Sequence, residues 1–335
     1  MRDSRSLWSV PDWAIEEIKE AIPSGMDVRI LSSSVDGTGD GGPAAPEALE
    51  AVREAEILLS YGFPRALYAA AAAGRTLRWV HSAAAGVTGA IHPGMAEAGI
   101  LLTNSAGIHA EPMADTVLAM ILYFARGLDH AVAAQHRGEW ERAPFDADVP
   151  TVHELEGSTL GIVGYGGIGE AVARRALALG MEVTGYRRRP IPTDLDVRIV
   201  SGTEGLAEVF ACRYVVLALP RTPSTENILD RERIARLRPE TVIINVGRGE
   251  LIDEAALAEA LSDGRIRGAG LDVFVREPLP SESPFWSMPN VLITPHVTAT
   301  TDRFWRRQMD LILENLRRYE RGEEMLNLVD IAQGY

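Results

Sequence analysis

Short apolar runs alternate along the chain with stretches in which apolar residues return every three or four positions. Residues 26–32 read as a strand, 36–42 as a Gly/Asp-rich loop, 46–54 as a helix and 55–60 as a second strand. The alternation continues with a strand at 77–81, a short helix at 93–98 and a strand at 100–104. Residues 112–136 carry the longest helical pattern, with Met113, Val117, Met120, Ile121 and Phe124 on a shared face and Pro112 near its start. After the polar, proline-containing stretch 142–150 a second series opens, with strands at 159–164, 182–186, 214–219, 241–246, 269–274 and 291–294. Most of these are continuous apolar runs, as strands covered on both faces should be. A last helix, 303–321, lies beyond this series and is expected to return to the first lobe.

Two α/β lobes suit the 335 residues. With 46% hydrophobic and 24% charged residues, the composition is that of a packed globular protein. A net charge of -14 would repel phosphate backbones, so nucleic acid is not an expected partner. Lys19 is the only lysine, which removes P-loop, Schiff-base and Ser-Lys chemistry from the body of the protein. Cys212, the single cysteine, excludes an intrachain disulfide and a cysteine-rich zinc site and is expected to be buried packing; no metal site is expected. The N-terminus has no apolar core of a signal peptide and no apolar run is long enough to span a bilayer, so a cytoplasmic protein without membrane contact is expected.

Gly164, Tyr165, Gly166, Gly167, Ile168 and Gly169 form G-x-G-x-x-G between a strand (residues 160–163) and a helix (170–179), the context that a dinucleotide fingerprint requires. Gly164 permits the turn, Gly166 lets a pyrophosphate approach the backbone, and Gly169 lets helix and strand pack closely. About 20 residues further on, an NAD-binding protein places an acid against the ribose hydroxyls. Here the strand ends in Tyr186, Arg187, Arg188 and Arg189, and guanidinium groups suit a 2'-phosphate by charge and geometry. NADP(H) is therefore expected over NAD(H); the competing reading is a solvated arginine turn.

Three later strands end in reactive residues: Asn245 to Gly249 with Arg248, Asp272 to Phe274 leading to Glu277 and Pro278, and Thr294-Pro295-His296. Open α/β sheets bind ligands at such ends. Arg, Glu and His delivered there provide an anion holder, an orienting carboxylate and a proton donor.

With these motifs in order, the chain resembles the D-isomer-specific 2-hydroxyacid dehydrogenases, nearest to the glyoxylate/hydroxypyruvate reductase type. The resemblance implies two Rossmann-like doubly wound α/β domains: a discontinuous, flavodoxin-like substrate-binding domain (1–110 and 297–335) and a dinucleotide-binding domain (111–296). It implies that Arg248 holds the substrate carboxylate and carbonyl oxygen, that His296 exchanges the proton at the C2 oxygen, and that Glu277 hydrogen-bonds His296. A carboxylate beside imidazole favours the charged form, which suits donation as hydride arrives. Cofactor contacts are implied for Gly164, Gly166, Gly167, Ile168, Gly169, Arg187, Arg188, Leu219, Pro220, Thr225, Val246, Gly247, Arg248, Asp272 and His296, with Asp272 at the nicotinamide carboxamide. In the first lobe, Ala85 and Gly86 fall in the stretch that resembles the family's substrate loop; a plain turn is the alternative there. Tyr61, Gly62, Phe304 and Trp305 are candidate wall residues, and a homodimer around residues 113–136 with Trp140 is implied.

Three features depart from the family pattern: Arg187 replaces the usual acid, Ala114-Asp115 stands where Ala-Glu is common, and Val297 to Thr300 lack the usual glycine. With no regulatory domain after Asp330, the extended phosphoglycerate dehydrogenases are expected to be poorer models, and Glu277 argues against formate-oxidising relatives. The alternatives to a 2-keto acid reductase are a dinucleotide-sensing corepressor-like interaction protein, an NAD-dependent phosphoglycerate dehydrogenase-like enzyme, and a methyltransferase with a glycine-rich loop.

Overall fold

A computed structural model describes residues 9–23, 25–31, 44–146, 152–189 and 192–331. The chain divides into two compact units, Met1–Ile108 with Thr301–Tyr335 and His109–Thr300.

In the second unit, seven parallel strands lie in the order β10-β9-β8-β7-β4-β5-β6. They are β4 (Thr159–Val163), β5 (Glu182–Tyr186), β6 (Arg198–Val200), β7 (Tyr214–Leu217), β8 (Val242–Asn245), β9 (Gly268–Leu271) and β10 (Val291–Ile293). Successive residues serve opposite cores: Tyr214 and Val216 join the one containing helices α4 (Ala110–Ala125) and α6 (Gly167–Ala178), whereas Val215 and Leu217 join the one containing α7 (Gly202–Phe210) and α9 (Glu254–Ser262). Burial on both faces is why these strands read as unbroken apolar runs rather than alternating ones. The order reverses between β4 and β7, which are neighbours, and this switch point opens a crevice at the strands' carboxyl ends.

Helices α4 and α6 are tied by Arg175, whose guanidinium meets Glu111 at 2.6 Å and Asp115 at 2.7 Å. That contact gives Asp115 a structural use. The expected single helix at 112–136 is instead two, α4 and α5 (Leu128–Arg137), bent by 72°. Gly127 makes the bend: its φ is 62°, and a Cβ there would stand 3.0 Å from the Phe145 ring. Periodicity continued across this break because a glycine in a helical pattern does not by itself reveal its backbone hand. No single helix among the described residues is long and apolar enough to cross a membrane. Cys212 is buried, and burial pushes its thiol up to about 11.

The first unit carries a three-stranded parallel sheet, β1 (Ile57–Ser60), β2 (Trp79–Ser82) and β3 (Leu101–Asn104), in that order. Helices α1 (Asp12–Ala21), α2 (Pro46–Ala51), α3 (Arg65–Gly74) and α10 (Phe304–Arg321) belong to the same unit, so the last helix does return to the first lobe's sheet. Residues 26–31 form no strand, although their apolar and charged residues alternate. Alternation sets which side chains share a face, but a strand also needs a backbone partner. The expected loop at 36–42, residue 32 and residues 147–150 of the polar stretch 142–150 lie outside the described residues. Residues 93–98 are a turn, not a helix. Gly94 there has φ 88°, outside helical space.

His81, on β2, is fully buried. Its Nδ1 lies 2.8 Å from Thr103 Oγ1 and its Nε2 2.7 Å from Gln308 Nε2. An amide nitrogen only donates, so Nε2 accepts and the ring is neutral. Burial lowers its pKa from 6.5 to about 4. Between these values the unfolded chain binds the extra proton, so stability present above pH 6.5 is lost as pH falls toward 4. We expect urea unfolding from pH 7 to pH 4.5 to show this loss, up to about 3 kcal/mol for this one group. In His81→Gln the dependence on pH should flatten over the same window.

Candidate active site

The fingerprint turn is built by close contacts. Gly164 has φ 110°, and a Cβ on it would sit 2.7 Å from the Ala218 carbonyl oxygen. One on Gly169 would meet the Gly164 carbonyl oxygen at 2.6 Å, so the first turn of α6 rests directly on the end of β4. Gly166 differs: nothing lies within 4 Å of its Cβ position. The first helical bond, Glu170 N to Gly166 O at 2.8 Å, leaves the amides of Gly167, Ile168 and Gly169 ahead of it facing a cradle that any side chain would fill. A dinucleotide pyrophosphate fits these residues.

The end of β5 is tied to the same turn. Tyr186 O accepts the amides of Gly164 at 3.1 Å and Tyr165 at 2.9 Å, and the Tyr165 ring lies over Gly185. Arg187 follows at once, its amide bonded to Val200 O at 3.1 Å, its side chain half-buried, with Arg188 exposed. No carboxylate pairs with Arg187 among the described residues. Leu219 and Gly247 close the other side: a Cβ on Gly247 would meet Leu219 O at 2.7 Å. Thr225 Oγ1 accepts the Thr222 amide at 2.8 Å and donates to Pro220 O at 2.8 Å, and so closes the turn after β7. Val246 is a buried core residue, so only its backbone borders the crevice.

Arg248, Glu277 and His296 follow β8, β9 and β10, three adjacent strands. Asn245 is buried at the end of β8, where its Oδ1 accepts the Gly247 amide at 3.0 Å and its Nδ2 donates to Arg248 O at 2.9 Å. The Arg248 side chain is exposed, with Nη1 donating to Gly247 O at 2.7 Å. Glu277 turns back on its own loop: Oε1 accepts the Phe274 amide at 2.9 Å, and Oε2 lies 2.7 Å from His296 Nδ1. With Nδ1 engaged, Nε2 is the end of the half-exposed imidazole available to another group. His296 has φ 52°, a left-handed conformation uncommon without glycine.

That conformation is held by Asp272. Its Oδ1 accepts Thr294 Oγ1 at 2.5 Å and the Val297 amide at 2.9 Å; its Oδ2 accepts the Thr298 amide at 3.3 Å and Thr298 Oγ1 at 2.7 Å. Four donors occupy the lone pairs of this buried carboxylate. In this structure Asp272 is thus the clamp of the loop that carries His296. Sequence reading missed this use and missed Thr298, because the contact joins strand ends 26 residues apart. A threonine among small residues carries no local signal for it.

Ala85 and Gly86 belong to the other unit. They are exposed after β2, and Ala85 O accepts Asn104 Nδ2 at 2.9 Å, which pins the loop. Tyr61, Phe304 and Trp305 gather in that unit, with Tyr61 stacked on Phe304 at 6.5 Å and edge-on to Trp305 at 6.5 Å. Among the described residues no group of three or more His, Cys, Asp and Glu is arranged to hold a metal ion.

A dinucleotide crevice at a switch point, beside an acid–imidazole pair and an exposed arginine, has the makings of a carbonyl–alcohol dehydrogenase site. The NAD binding domain of the D-isomer specific 2-hydroxyacid dehydrogenases matches residues 118–298, more than half of the chain, and the chain belongs to that family. It is 33% identical to D-3-phosphoglycerate dehydrogenase of Methanocaldococcus jannaschii over 85% of this chain and 53% of that one. It is 37% identical to glyoxylate/hydroxypyruvate reductase B of Pectobacterium carotovorum over 70% of this chain and 73% of that one. A D-isomer specific 2-hydroxyacid dehydrogenase from Xanthobacter autotrophicus, solved with NADPH and MES, superposes with a TM-score of 0.77 at 32% identity, covering 99% of this chain and 98% of that one. The chain spans about half the length of the phosphoglycerate dehydrogenases it matches, yet it matches them over most of its own length, so length does not separate the two types of relative.

Thr298→Val tests the clamp. It removes one bond to a buried carboxylate, which should cost about 1–3 kcal/mol in urea unfolding. It should also speed amide exchange at Val297 while leaving the fingerprint helix unaffected.

Proposed function

We propose that this chain is an NADP(H)-preferring reductase of small 2-keto acids of the glyoxylate or hydroxypyruvate kind, yielding D-2-hydroxy acids. The observation that carries the reading is the 2.7 Å contact of Glu277 Oε2 with His296 Nδ1, on a turn packed against that of Arg248. It orients the imidazole so that Nε2 presents a proton to the carbonyl oxygen of a bound keto acid. Arg248, charged and exposed, holds the substrate carboxylate and draws electron density toward the carbonyl oxygen. The nicotinamide cofactor, when bound, supplies the hydride to C2. In the reverse direction the neutral imidazole takes the hydroxyl proton. Glu277 keeps the ring in place in both directions.

NADP(H) preference rests on Arg187 and Arg188 at the end of β5, beside the fingerprint turn, and the structural relative bound to NADPH favours it. Phosphoglycerate dehydrogenation is the second reading, favoured by the 33% identity over 85% of this chain. A homodimer is also proposed, because Leu122 on α4, Leu128 and Val132 on α5 and the 93%-exposed Trp140 just beyond α5 are exposed apolar side chains.

Titration with NADPH and NADH, followed by nicotinamide fluorescence, should give tighter NADPH binding. Arg187→Ala should narrow the gap about 10- to 100-fold, the loss of charge-assisted bonds worth about 1.5–3 kcal/mol. Equal affinities in the unaltered protein would remove the arginines from this role. His296→Ala should lower kcat for glyoxylate about 10²- to 10⁴-fold with cofactor affinity little changed. Turnover of 3-phosphohydroxypyruvate in preference to glyoxylate would favour the second reading.

A further inference from the structure

Glu254 opens α9, and its neighbour Asp253 already caps that helix by accepting the Ala256 amide at 2.9 Å. Glu254 itself reaches elsewhere. Its Oε1 accepts the amide of Val275 at 2.6 Å, across 21 residues of sequence. Val275 lies two residues before Glu277, in the turn that follows β9.

The surroundings make this an expensive place for a carboxylate. Glu254 is half-buried, and among the described residues no lysine, arginine or histidine pairs with it. The charged groups that face it are Glu250 and Glu277; the first is paired with Arg221 at 2.9 Å and the second is turned to His296. Burial, and then repulsion by these two carboxylates, push its pKa up, against the pull of the Val275 amide. Asp253 stands beside it as a further acid. A carboxylate at a helix start needs none of this to favour the helix dipole, since an exposed acid serves as well.

The bond to Val275 has a visible consequence. Two successive amides in the turn, Phe274 and Val275, are accepted by two carboxylates, Glu277 and Glu254. The first bond lies within the turn and sets the shape of Glu277's return. The second ties the turn to α9. Gly249 meets the same two residues by backbone contact, so the turn is held at Phe274 and Val275 by a close backbone contact as well as by the bond from α9.

We propose that Glu254 is a positioning residue for the acid–base pair: by accepting the Val275 amide it fixes the turn from which Glu277 reaches His296. The inference rests on the reading of Arg248, Glu277 and His296 as the reacting groups. It concerns reach rather than charge, because what the turn requires is an acceptor at the distance of a glutamate side chain.

Glu254→Ala, Glu254→Gln and Glu254→Asp in the full chain separate the possibilities. Hydrogen exchange at the Val275 amide reads the anchor without any turnover, and kcat set against KM for glyoxylate reduction with NADPH reads its effect on the pair. In Glu254→Ala the Val275 amide should exchange faster and kcat should fall about tenfold with KM less affected, as expected for small misplacement of a reacting group. Glu254→Gln, near-isosteric and still an acceptor, should restore both the protection and kcat; Glu254→Asp, one methylene short, should resemble the alanine variant. The proposal is overturned if exchange at Val275 is unchanged in Glu254→Ala, if exchange rises but kcat stays in place, or if Asp restores kcat and Gln does not. Failure of His296→Ala to impair turnover would instead remove the reading beneath the proposal, and the proposal with it, while the exchange measurement would still report the anchor.

Discussion

The turns after β8 and β9 touch backbone to backbone at Gly249, and the rest of the candidate site depends on that contact. A Cβ at this position would overlap the Phe274 carbonyl carbon and the Val275 amide. Arg248 is its immediate neighbour, and Glu277 returns from just beyond it. Because the contact is between main chains, side-chain motion cannot loosen it. The third turn joins through Asp272, whose carboxylate collects donors from Thr294, Val297 and Thr298 around His296. Three strand ends thus behave as one body, and that preorganisation is what positioned acid–base chemistry requires.

Buried polar groups elsewhere follow the same economy. Asp272 is nearly inaccessible and has no cation beside it among the described residues; amides and hydroxyls offset its desolvation instead. His81, equally buried in the other unit, avoids the charge by staying neutral. Arg248 and His296, the groups proposed to react, are left exposed with only one end engaged. Burial therefore separates the groups that shape the site from those proposed to react.

Much of the second unit was legible in the chain. Continuous apolar runs mark β4, β7 and β8 because both faces of the sheet are covered, and the fingerprint glycines fall where strand and helix meet. β6 was missed: it has three residues and partly exposed side chains, too little pattern to register. The break at Gly127 and the turn at 93–98 escaped because local backbone hand is settled by what surrounds it. For Gly127 that means the Phe145 ring packed at the bend.

For the site, the residue types at strand ends, Arg248, Glu277 and His296, and the arginines after β5 were determined by the sequence itself, since chemistry resides in side chains and the strands are written in hydrophobicity. The way those residues are held was decided only in three dimensions. The bond from Glu254 to Val275, the clamp of Thr298 on Asp272 and the seat of Gly249 against Phe274 join positions 21 to 26 residues apart. No periodicity spans such distances. They exist because the parallel sheet sets β8, β9 and β10 side by side and delivers their ends to one edge.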